Sequence, residues 1–88
     1  MKIKNGFLVR EIADSYIIVP VGERVIDFKG IMTLNNAGYF LWRHLLEEIS
    51  YDSLLAALLE EYEVDDATAR TDIDEFLQSA RESGVLEE

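Results

Sequence analysis

Chemistry needs side chains that move protons, attack carbonyls or hold metals, and in these 88 residues the supply is thin. The one histidine, His44, falls in a helical stretch on the opposite flank from Trp42, where a partly exposed helix position accounts for it. A nucleophilic triad cannot be drawn without His44, and nothing marks it as a base. Ser15, Ser50, Ser53, Ser79 and Ser83 lie at turns, helix starts or exposed helical positions, where capping and solvation explain them. With no cysteine and no second histidine, a zinc site would have to be mostly carboxylate, which is uncommon for that ion. Glu60, Glu61, Glu63, Asp65 and Asp66 gather in one stretch, but they lack the Asp-x-Asp-x-Asp-Gly spacing and closing glutamate of a calcium loop. They read as a solvated acidic corner. Gly6, Gly22, Gly30, Gly38 and Gly84 are scattered, so no loop cradles a phosphate. The expectation is a protein that is not an enzyme, with no metal and no cofactor. What remains suits binding.

The elements that would position a binding surface follow from length and pattern. Eighty-eight residues can enclose one hydrophobic core, so residues 1–88 are expected to form a single domain. An apolar fraction of 49% with one proline is a globular composition. Phe7 to Ile12 and Tyr16 to Val21 are β-branched and aromatic runs separated by Ala13-Asp14-Ser15, which predicts a hairpin with strands over 7–12 and 16–21. Gly22-Glu23-Arg24 reads as a second turn, Val25 to Phe28 as a sheet extension or arm, and Lys29-Gly30 as a break before a third strand over 31–34. Pro20 cannot donate to a ladder and belongs near a strand end or facing away from its partner.

From Asn35 the period changes from two to 3.6. Asn35, Ser50 and Asp65 are N-cap candidates, and helices are predicted over 36–48, 51–62 and 66–83. The first buries Gly38, Leu41, Trp42, Leu45 and Ile49, and the second Tyr51, Leu54, Leu55, Leu58, Leu59 and Tyr62. The third carries the apolar row Ala69, Ile73, Phe76, Leu77 and Ala80, with Gly84 as its stop and Val85-Leu86 folding back onto the core. The fold class is α+β: an N-terminal three-stranded antiparallel sheet followed by three α-helices.

Charge excludes two classes of partner. The net charge is −10, and all of the excess lies in residues 47–88, where Arg70 and Arg81 face fourteen carboxylates. Such a surface repels a phosphate backbone and an anionic bilayer, so neither nucleic acid nor membrane is expected as a partner. The N-terminus lacks the pattern of a secretory signal and no apolar run is long enough to span a bilayer, which leaves the cytoplasm as the expected location. A three-stranded sheet has outer strands whose unpaired N–H and C=O groups can recruit another strand. If the third strand lies at an edge, Ile31 to Leu34 offers few charges to block that pairing.

The spacing Leu34-Asn35-x-x-Gly38-x-x-Leu41-Trp42-x-x-Leu45 resembles the strand-to-helix signature of the PqqD-like family. So do Tyr62-x-Val64-Asp65-x-x-x-Ala69-x-x-Asp72-Ile73-x-x-Phe76-Leu77, Gly84-Val85-Leu86 and Tyr16 to Gly22, and together the likeness covers the chain from Phe7 to Leu86. Each element consists mostly of core residues and caps; their order and spacing are what is specific. The resemblance implies a winged-helix-like domain that serves as a recognition element, or peptide chaperone, for ribosomally made and later modified peptides. It implies a precursor leader peptide as partner, held as an added strand between the third strand and third helix. The leader is then presented to a modifying enzyme such as a radical SAM protein, or to a leader peptidase. Carried onto this chain, the strand wall is Ile31, Met32, Thr33 and Leu34. The favoured helix wall is Arg70, Ile73, Asp74, Leu77 and Arg81, which holds the only two cations of the acidic half; the alternative is the flank Asp72, Phe76 and Ser79. The other reading of function is an accessory scaffold that docks on an enzyme without touching a precursor. An open edge can also exchange strands, so the expected state is a monomer or weak homodimer.

Overall fold

A computed structural model describes residues 1–22 and 32–87. Glu23 and Arg24 of the expected second turn, the Val25–Phe28 extension, the Lys29-Gly30 break and Ile31 lie outside the described residues.

Among the described residues, the first 34 positions contribute four strands: β1 (Lys2–Ile3), β2 (Phe7–Ile12), β3 (Ser15–Pro20) and β4 (Met32–Leu34). They are followed by α1 (Asn36–His44), α2 (Tyr51–Glu61), α3 (Asp66–Ser83) and a last strand, β5 (Leu86–Glu87). The main sheet runs β2-β3-β4, antiparallel throughout. Its register sorts the side chains by parity. Val9, Ile18 and Met32 stand side by side across the three strands, as do Tyr16 and Leu34, and they face the helices. Arg10, Ile17 and Thr33 stand across from one another on the other face. Met32 and Leu34 are therefore buried while Thr33 between them is exposed, because successive strand residues point to opposite faces.

Each helix begins where a side-chain acceptor meets an orphan backbone N–H. Asn35 accepts from the Gly38 amide at 2.8 Å, Ser50 from Ser53 at 3.1 Å and Asp65 from Thr68 at 2.7 Å. The bonds from the Thr68 side chain and backbone hold the Asp65 carboxyl below its ordinary value, since both favour the charged acceptor. α3 stops at Gly84, whose φ of 78° lets the chain reverse. Val85 N–H then donates to Ala80 C=O, and Gly84 N–H to Arg81 C=O. The core beneath the sheet is filled by Leu41, Trp42, Leu45, Leu54, Leu58, Ile73 and Val85, each with at most 2% of its surface exposed.

Two features depart from the expected elements. β1 and β5 form a second, two-stranded sheet that joins the chain ends, with Ile3 opposite Leu86 and both buried. α1 ends at His44, four residues short of the expected 48, because the N-terminal segment takes over the backbone bonding beyond it. Ile3 N–H donates to Leu45 C=O at 2.7 Å and Ile49 N–H to Met1 C=O at 3.0 Å, while the Met1 ammonium reaches Glu48 at 2.8 Å.

Candidate peptide-binding groove

β4 is the outer strand of its sheet, and among the described residues it pairs with β3 alone. α3 runs beside its open edge. Between them lies a cavity of about 270 Å³. Met32, Thr33 and Leu34 of β4 form one wall, with Asn35 at its end. Ala37, Gly38 and Leu41 of α1 close the floor, and Asp72, Glu75, Phe76 and Ser79 of α3 form the facing wall. The strand packs closely on the helix that follows it: a Cβ added at Gly38 would stand 3.3 Å from both the Asn35 Oδ1 and the Leu34 Cβ. A larger residue there would press on the cap oxygen and on the groove wall at once.

The groove is apolar at depth and polar at its rim. Met32, Leu34, Leu41 and Phe76 are all at least nine-tenths buried, whereas Thr33 and Glu75 are exposed and Asp72 is half-buried.

The family described as coenzyme PQQ synthesis protein D (PqqD) matches over residues 9–86, a span that includes both walls of this groove. The chain belongs to the PqqD family. A solved structure described as TbiB1 in complex with the TbiA(beta) leader peptide shares the fold at a TM-score of 0.74. It is 24% identical, and the match covers 99% of this chain and 95% of that one. No curated protein matches the chain.

Within this PqqD-family fold, the expected site residues divide. Met32, Thr33 and Leu34 line the groove, and Ile31 lies outside the described residues. The favoured helix wall does not line it. Ile73 and Leu77 are 0% and 2% exposed, which places them in the core. Arg70 and Asp74 are on the side of α3 that meets α2: the Tyr51 hydroxyl donates to Asp74 at 2.8 Å, and the Arg70 guanidinium lies 6.0 Å from the Tyr51 ring centre. That bond to a carboxylate, helped by burial, raises the Tyr51 pKa, while Asp66 beside Arg70 raises the guanidinium's. Arg81 is exposed on the last turn of α3, outside the groove lining. The cavity is lined instead by the other flank, Asp72, Phe76 and Ser79, joined by Glu75, which the sequence reading did not single out. The cations drew attention to a flank where Arg70 and Asp74 stand beside Tyr51 of α2. Residues 72, 76 and 79 recur at i, i+4 and i+7 on the opposite margin of the buried row, so the helical period could place them together but could not say which element they face.

The remaining candidates for chemistry stay apart. His44 is exposed, with its ring centre 4.4 Å from that of Phe40. Among the described residues no three His, Asp or Glu side chains come together to hold a metal ion. No described helix is long and apolar enough to cross a membrane.

Proposed function

We propose that this PqqD-family chain binds the leader segment of a ribosomally made precursor peptide as an added strand on β4, without catalysing a reaction itself. It would thereby present the precursor to a modifying enzyme, such as a radical SAM protein, or to a leader peptidase. The observation that carries the proposal is the edge of Met32–Leu34, unpaired among the described residues, beside a groove lined by both apolar and polar side chains. The TbiB1 structure, which shares the fold, is a complex with a leader peptide and supports the same reading.

Magnitudes say what such a peptide must contribute. A ladder hydrogen bond adds a net of about 0.5–1.5 kcal/mol, so four of them give at most about 6 kcal/mol. Micromolar binding needs about 8 kcal/mol after association costs are met. Anchoring side chains in the groove must supply the difference, at about 1.5–3 kcal/mol for each one fully buried.

The test is an amide-resolved NMR titration with the synthetic leader of a short precursor encoded beside the chain's gene. Micromolar or tighter binding is expected, with the amides of Met32–Leu34, Asp72, Glu75 and Phe76 shifting and proline substitutions in the pairing segment abolishing it. Binding that leaves Met32–Leu34 unmoved would overturn strand addition, and it would favour an accessory scaffold if an enzyme partner bound equally well without the peptide.

A further inference from the structure

The carboxylates of α3 are not equivalent. Asp66 accepts from Arg70, Asp74 from Tyr51 and Glu82 from Gln78. Asp72 and Glu75, the two on the groove wall, have no hydrogen bond or ion pair with a described residue. No Lys or Arg is among the described residues lining the cavity. The groove thus sets two unpaired negative charges above an apolar floor, on a chain whose net charge is already −10.

From this we infer that the groove selects a basic peptide: one with an apolar anchor against Phe76 and a Lys or Arg two residues away, paired with Asp72 and Glu75. The inference rests on strand addition at β4. Side chains on one face of an added strand recur about every 6.7 Å. Asp72 stands one helical turn from Phe76, about 6 Å along the axis of α3. A peptide running alongside α3 with its anchor at Phe76 would bring its next inward side chain near Asp72. The stem of a Lys or Arg can lie on the apolar wall while its head meets the carboxylates at the rim. An acidic residue at that position would meet two like charges with no counter-cation among the described lining residues. Electrostatic complementarity of this kind decides which partner is accepted more than how tightly it is held.

A displayed library of random ten-residue peptides, selected on the full chain, tests this, followed by titration of one selected synthetic peptide. Lys or Arg should be enriched two positions from a Leu, Ile, Phe or Tyr. The double variant Asp72→Asn/Glu75→Gln should bind the selected peptide about five- to twentyfold more weakly. Replacing the peptide's cation by Gln should then cost that variant nothing further. Asp72→Lys/Glu75→Lys, shown by circular dichroism to be folded, should instead enrich Asp or Glu at the same position. Peptides that shift the Met32–Leu34 amides, yet show no basic enrichment and bind the Asn/Gln variant equally well, would overturn the charge selection and leave strand addition standing. Recovery of no binding peptide at all would overturn both.

Discussion

Ala13 carries the one left-handed backbone of a non-glycine residue among those described, with φ at 54° in the tight β2–β3 turn. A Cβ in that region costs about 1–2 kcal/mol, and a glycine would remove it while adding about 0.5–1 kcal/mol of chain entropy to lose on folding. Ala13→Gly should therefore stabilise the protein by about 0.5–1 kcal/mol, a rise in Tm of about 2–8 °C in a thermal melt. A Tm at or below that of the parent would show that the turn is not strained. Residue-scale features of this sort divide by how local their cause is. Asn35, Ser50, Asp65 and Gly84 were legible as caps because a cap is decided within three or four residues. Ala13 was legible as part of a turn, but its backbone sign was not, since alanine gives no signal for it.

At the scale of elements, the joining of the two chain ends is the feature local pattern missed. Lys2–Ile3 and Leu86–Glu87 are two residues each, too short for any periodicity to register, yet Ile3 is only 2% exposed. Ile3→Ala is expected to cost about 2–5 kcal/mol in urea unfolding, as truncation of a buried aliphatic side chain does. The β4 amides should hold their positions in that variant, because β1 and β4 belong to separate sheets. A cost under about 1 kcal/mol would mean that the terminal sheet frays independently of the core. The same segment accompanies the short α1: residues 45–49 have adequate helix formers, but the Leu45 C=O and the Ile49 backbone bond to residues 1–3 instead. Tertiary hydrogen bonds overrode propensity there.

For the molecule as a whole, charge and fold point in different directions. A winged-helix-like architecture is often met in DNA binding, but analogy of fold is weak warrant for function. Here the helical half bears fourteen carboxylates against Arg70 and Arg81, and counterion release needs clustered cations. No shift in the anisotropy of a labelled 20-base-pair duplex, taken as a probe about two helical turns long, is expected at micromolar protein and physiological salt. Saturable, salt-sensitive binding to that duplex would contradict this. The charge was fully legible in the sequence; how it is arranged was not. Asp52, Glu60, Glu61, Asp66, Asp74 and Glu82 lie on exposed helix positions away from the groove, whereas Asp72 and Glu75 are brought opposite a strand edge some forty residues earlier in the chain.

By itself the sequence determined the hairpin, the third strand, three capped helices, the acidic balance and the resemblance to the PqqD family. Alternation, 3.6-residue periodicity, capping and net charge are all properties of neighbouring residues or of sums. Only the tertiary structure decided which flank of α3 faces β4. Both margins of the row Ala69, Ile73, Phe76, Leu77 and Ala80 carry polar residues, so amphipathicity alone could not choose between them. The packing of α2 chose: with Tyr51 in contact with Asp74 and Arg70 on one flank, Asp72, Glu75, Phe76 and Ser79 on the other line the groove.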